Sequence, residues 1–277
     1  MTKVPLPLRA LPSVAYRVWF TPPPLGRRAA TQDSEAMADV ERVHIRRPDG
    51  AELVGFATGS GPLVLAFHGW GGRAAQMTTM ARNLTDAGLR VVAVDLPGHA
   101  GGDATDIKQM SAAIRDLIEV VGEPVAVIAH SFAAMALRML FHDRAPATVV
   151  LLAPALKVSD AFSVFADRAR LLPWTRTSLW RRLERWDPTV FPRLDQISAD
   201  DFPGADVLMI HDPADDETPF ATATELAALR PGTDLMAVEG VGHVGVLSSP
   251  EALGAVTEFV GRRNRAAGER ALARGQE

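Results

Sequence analysis

Apolar residues are distributed along this chain in two rhythms. Short continuous runs occur at 63–67 (LVLAF), 90–95 (RVVAVD), 124–129 (PVAVIA), 148–153 (TVVLLA), 206–210 (DVLMI) and 233–238 (TDLMAV). Runs of this length, rich in β-branched and aliphatic residues, predict strands buried on both faces of a mostly parallel sheet. Helical stretches lie between most of them, at 73–87, 106–121, 131–142, 218–229 and 250–263. In 106–121, Ile107, Met110, Ile114, Leu117, Ile118 and Val121 fall on a single helical stripe. Upstream, VERVHIRR and AELVGFAT flank Pro48-Asp49-Gly50, turn chemistry that predicts a β-hairpin. The alternation predicts an open α/β sheet with right-handed crossovers.

Two regions depart from that rhythm. Residues 155–203 separate two strands by far more than one crossover needs, which predicts an inserted helical cap. Before residue 40, Pro5, Pro7 and Pro12 together with Arg9 and Arg17 break up the apolar run, so no secretory signal is expected. This arm is read as packing on the protein's own surface, with an amphipathic arm lying on a membrane as the alternative. It ends in the stiff Pro22-Pro23-Pro24, and the polar, alanine-rich 29–39 reads as a connector. The charged C-terminal stretch predicts a frayed helix or disorder. The expected organisation is an arm (1–39), a core (40–154 and 204–264), a cap (155–203) and a tail (265–277). No window is apolar enough to span a bilayer, and a cytoplasmic location is expected.

Composition narrows the chemistry. The 277 residues are 47% hydrophobic and 22% charged, enough to bury a sizeable core. Twenty-nine basic against 33 acidic residues leave a net charge of −4, which disfavours a dedicated nucleic-acid binder. With no cysteine, disulfides, thiolate metal sites and cysteine nucleophiles are all excluded. The seven histidines include no His-Glu-x-x-His spacing, which disfavours metal-dependent hydrolysis.

Four segments carry candidate chemistry. Ala129-His130-Ser131-Phe132-Ala133 sits between a predicted strand and helix. A serine on so sharp a turn would lift its hydroxyl above the sheet, although serine also caps helices for purely structural reasons. His68-Gly69-Trp70-Gly71-Gly72 could bring backbone N–H groups to a substrate oxygen, or could be a flexible loop. His211-Asp212-Pro213-Ala214-Asp215-Asp216-Glu217-Thr218-Pro219 crowds four carboxylates into one loop. One of them could orient an imidazole, while Glu217 and Asp216 read as serving the dipole of the next helix. Val241-Gly242-His243-Val244 supplies that imidazole. Each segment follows a separate predicted strand, and in a parallel sheet those ends converge on one edge.

The order serine, acid, histidine, with these loops and DLPGHA at 95–100, resembles the α/β-hydrolase superfamily over roughly 40–264. It looks most like bacterial cap-bearing serine hydrolases with an Ala-His-Ser-Phe elbow. The resemblance implies an α/β-hydrolase fold, with Ser131 as nucleophile, Asp215 as acid and His243 as base. Asp212 is the competing acid. The backbone N–H groups of Trp70 and Phe132 are the implied oxyanion donors. Ala129 and Ala133 replace the usual elbow glycines, and Ala100 replaces another glycine. His99 is read as shaping its loop, and His68 as holding its own loop by a ring hydrogen bond at the edge of the substrate pocket. Phe162, Phe165, Trp174 and Trp180 of the cap are the expected aromatic lining, unless they simply pack the cap on the core. The cap arginines read as a solvated face that could attract anionic substrates.

The implied reaction is hydrolysis of carboxylic esters, thioesters or lactones through an acyl-enzyme. A small-molecule ester is the partner, and neither metal nor organic cofactor is required. Ser131 excludes the aspartate-nucleophile dehalogenases and epoxide hydrolases of this fold. An acyltransferase on the same triad and a non-catalytic ligand binder are the alternatives, and burst release from a chromogenic ester separates turnover from binding. The sequence leaves the oligomeric state open.

Overall fold

The structure, a computed structural model, describes residues 9–24, 26–99, 101 and 103–274, with side chains at 27–30 and 266–274 left out of the description. Ala100 and the outermost ends of the arm and tail lie outside the described residues. Eight strands form one sheet: β1 (Glu41–Arg46), β2 (Glu52–Thr58), β3 (Leu63–Phe67), β4 (Arg90–Val94), β5 (Ala126–His130), β6 (Thr148–Leu152), β7 (Asp206–His211) and β8 (Thr233–Ala237). Their spatial order is β1-β2-β4-β3-β5-β6-β7-β8. β2 is antiparallel to both neighbours, and every pairing from β4 to β8 is parallel. The hairpin and all six apolar runs are therefore strands, within a residue or two of the expected limits.

The runs of β3 to β7 lack polar alternation because both sheet faces are covered, whereas β8, expected to be buried on both faces, is an edge strand with Asp234 and Ala237 exposed. Leu65, Phe67, Val127, Ala129, Val149 and Leu151 pack on α4 (Ile107–Val121) and α5 (Ala133–Leu140). Val64, Ala66, Ile128, Val150 and Leu152 pack on α3 (Thr78–Asp86) and α10 (Pro250–Arg274) on the opposite face. α9 (Phe220–Leu229) connects β7 to β8. Successive side chains of one strand thus enter different cores, the period-two geometry of a sheet buried twice. The stripe read from 106–121 faces inward, and Asp106 caps α4 by accepting from the N–H groups of Lys108 and Gln109. The charged tail continues α10 as far as Arg274.

The segment between β6 and β7 carries α6 (Val158–Arg168), α7 (Pro173–Trp186) and α8 (Val190–Leu194). Two buried arginines fasten its roots. Arg138 of α5 donates to the carbonyls of Leu156 and Gln196 and pairs with Asp201 at 2.9 Å. Arg230 donates to the carbonyls of Asp201, Phe202 and Ala205.

The N-terminal arm folds onto this insertion. Its helix α1 (Pro12–Trp19) lies against α7, with Tyr16 beneath the Arg182 guanidinium and Phe20 against Trp186. Backbone bonds from Leu172 to the Arg9 carbonyl and from Thr105 to the Phe20 carbonyl (2.7 Å) fix its two ends. The expected connector is instead partly a helix, α2 (Arg27–Ala36). Its alanine-rich sequence suits a helix but has no apolar stripe to announce one. Tertiary contacts hold it: Asp33 pairs with Arg73, and Arg82 donates to the Ala36 carbonyl. Among the described residues, no helix is long and apolar enough to cross a membrane.

Arg138→Ala would leave Asp201 and two carbonyls buried without their partner. It should lower stability by about 3–5 kcal/mol, read as a reduced urea midpoint. A change below about 1 kcal/mol would mean that water replaces the guanidinium there.

Candidate active site

β5 ends at His130 and α5 begins at Ala133, so the chain turns within two residues. The turn puts Ser131 at φ 52°, in the left-handed region that costs a non-glycine residue about 1–3 kcal/mol. Hydrogen bonds compensate: the Ser131 N–H donates to Leu152, and its carbonyl accepts from Ala134 and Ala155. Ala129 and Ala133, in place of the usual glycines, are fully buried and small enough for helix and strand to meet. The loop after β3 passes so close that a Cβ on Gly69 would lie 2.7 Å from Ser131 Cβ.

His243, in a short helical turn after β8, approaches from the other side. Its Nε2 is 2.8 Å from Ser131 Oγ, and its Nδ1 is 2.8 Å from Asp215 Oδ2. Asp215 follows β7. Its Oδ1 accepts from the N–H groups of Glu217 and Thr218, and its Oδ2 also accepts from the Thr218 hydroxyl. Asp212 has a different task, accepting from the N–H groups of Ala214 and Gly242, and so ties the acid loop to the histidine loop. Of the two candidate acids, only Asp215 meets the imidazole. Among the described residues, the backbone N–H groups of Trp70 and Phe132 have no hydrogen-bond partner.

A family model described as the alpha/beta hydrolase family matches residues 63–256. The chain belongs to this family. No match was found among curated proteins. Similar solved structures include a candidate lipase from Acinetobacter baumannii AYE (TM-score 0.65, 16% identity, covering 86% of this chain and 97% of that one). An esterase from Pyrococcus furiosus (TM-score 0.62, 19% identity, 87% and 96%) and an epoxide hydrolase from Vigna radiata (TM-score 0.60, 16% identity, 82% and 99%) are also similar. Identities this low speak for the fold alone.

In this alpha/beta hydrolase, a cavity of about 550 Å³ opens over Ser131. Trp70 and Phe132 line it from the core, Phe165 and Arg168 from the insertion, and Trp19 and Pro22 to Pro24 from the arm. Of the residues expected to line the pocket, only Phe165 does so. Phe162 is buried between Trp19 and Trp180, and Trp180 packs on Phe191 while donating to Glu184. Trp174 is 53% exposed. His68 is fully buried, with Nδ1 donating to the Gly69 carbonyl and Nε2 accepting from Leu96 N–H, so it holds its loop without reaching the cavity. His99 stacks edge-on between His68 and Trp70. A separate cavity of about 520 Å³, bordered by Pro124, Val125, Ala147 and Thr148, lies at the opposite ends of β5 and β6.

Two residues of the site were not anticipated. Glu217, expected to serve a helix dipole, lines the cavity with Oε2 3.9 Å from His243 Nε2 and 3.1 Å from Arg168. His130, inside the elbow motif, donates through Nε2 to the His243 carbonyl at 2.9 Å and anchors that loop.

Burial acts differently on these groups. It pushes the Asp215 carboxyl up, but hydrogen bonds from His211, His243 and the Glu217 N–H outweigh it and hold the carboxyl well below the usual range. Burial, reinforced by neighbouring histidines, lowers His68 to about 3 and His130 to about 4. Both are neutral at pH 7. Below the ordinary imidazole value, the unfolded chain takes up protons that the folded chain refuses, so stability falls as pH drops. Between about pH 6.5 and 5 each histidine should remove roughly 2 kcal/mol. The Asp215 contribution is lost only below about pH 4. Urea midpoints at pH 7 and 5 check this, and His68→Gln should flatten the dependence. Equal midpoints at both pH values would refute it.

Proposed function

We propose that this alpha/beta hydrolase is a serine hydrolase that cleaves carboxylic esters through an acyl-enzyme. The carrying observation is the unbroken relay from Ser131 Oγ through His243 to Asp215, with the serine held in a left-handed turn. Residues 40–154 and 204–264 act as the catalytic core, 155–203 as the cap, and 1–39 as an arm.

His243 Nε2 removes the Ser131 proton as Oγ attacks the ester carbonyl. Asp215 fixes the proton on Nδ1, orients the ring and stabilises the imidazolium that forms. The N–H groups of Trp70 and Phe132, free of other partners, receive the developing oxyanion, at about 3 kcal/mol per donor in comparable sites. His243 then protonates the leaving alcohol and activates the water that releases the acid.

The cavity favours an uncharged, apolar ester. Arg168 is the cap arginine on its wall, and Asp216 and Glu217 already pair with it. It therefore offers little net attraction to an anionic substrate. Thioesters and lactones present the same carbonyl to Ser131.

Ser131→Ala should abolish covalent labelling by a fluorophosphonate and the burst of nitrophenol from a nitrophenyl ester, with the urea midpoint retained. Undiminished ester hydrolysis by this variant would sink the assignment. Asp215→Asn should lower kcat by about 10⁴, as loss of the correct tautomer does in comparable triads. A fall of less than tenfold would assign the orienting role elsewhere.

A further inference from the structure

The Ser131 cavity has a neighbour. A narrow space with about 30 Å³ free lies behind it, bounded by apolar side chains that include Ile107, Met135 and Leu183. Trp19, Trp70 and Phe132 line both spaces. These three residues therefore border both. Trp70 and Phe132 belong to the loops that carry the unpaired N–H groups, so their backbone is committed. Trp19 comes from the arm.

Its position is well determined. The ring meets Phe165 edge-on at 5.2 Å and Phe162 at 6.0 Å. The next residue, Phe20, accepts a backbone hydrogen bond from Thr105. A few residues on, Pro23 packs so tightly on the loop after β3 that a Cβ on Gly71 would lie 2.7 Å from its ring. The arm is thus part of the pocket and is seated on the same loop that bears Trp70.

We propose that Trp19 is a specificity-determining residue: it closes the Ser131 cavity against the inner space and so limits how long an alkyl chain an uncharged ester can bury there. The proposal rests on the serine-hydrolase reading for its substrate class, while the partition itself does not require turnover. On this proposal, removing the indole joins the two spaces beside Trp70 and Phe132, which remain.

The test uses the full chain in a Ser131→Ala background, with straight-chain methyl ketones from butanone to tetradecanone as non-hydrolysable probes and calorimetry as the readout. Affinity should climb about fourfold per buried methylene and then level off. In Ser131→Ala/Trp19→Ala, levelling should come at least two methylenes later. The longest ketones would then bind at least about tenfold tighter than in the parent, and the shortest within about threefold. Trp19→Leu, which keeps an apolar contact with Phe165, should shift the profile the same way and serves if the alanine variant does not fold. Levelling at the same length in all variants, uniform weakening of every ketone, or no ketone binding would overturn the proposal. Ester hydrolysis by the wild type is measured alongside. Its absence with a shifted ketone profile would count against the serine-hydrolase reading and leave the partition standing. Its presence with an unshifted profile would do the reverse.

Discussion

The left-handed turn at Ser131 is the constraint on which the site depends. A residue at φ 52° between a buried strand and a buried helix survives only where its surroundings leave no alternative. Here β6 supplies an acceptor, the first turns after β5 and β6 supply donors, and the side chains two positions to either side, Ala129 and Ala133, are methyl groups. Parallel pairing adds the rest. Because β3, β5, β7 and β8 all run the same way, the loops bearing Gly69, Ser131, Asp215 and His243 leave the sheet at one edge. Tertiary register, rather than any local preference, brings a serine and a histidine 112 residues apart within 2.8 Å.

Electrostatically, the edge is built from groups that respond to burial in opposite ways. Asp215 stays charged because its oxygens are occupied by backbone, hydroxyl and imidazole donors. His68 and His130 stay neutral because burial outweighs the nearby carbonyls, and for His130 also Asp215, that would favour a charge; as neutral rings they still bond the Gly69 and His243 carbonyls. One set keeps a negative charge against the His243 imidazole. The other holds the loops in place without adding charge to a crowded site.

Much of this was legible in the chain. The apolar runs marked five inner strands, β3 to β7, and the edge strand β8, and the order of Ser131, Asp215 and His243 on separate strand ends pointed to the cluster that the structure assembles. What escaped has a common physical origin. The helix Arg27–Ala36 has no apolar stripe because ion pairing, rather than burial, secures it. Trp174 and Trp180 gave no sign that their helix would stand away from the cavity, since aromatic residues pack helices together as readily as they line pockets. Glu217 looked like one acidic residue among four, and only the approach of Arg168 from the insertion gives it a distinct setting. Each omission concerns a contact between segments remote in sequence.

The arm carries a further consequence, in the order of assembly. Residues 9–24 precede in the chain every segment that seats them, for their seats are made of Gly71, Thr105, Arg170, Leu172 and Trp186. The arm's full set of contacts cannot form until Trp186, the last of them in the chain, has been made. Until then its apolar face is not fully covered. The arm's share of the wall over the serine is therefore made before the surfaces that hold it.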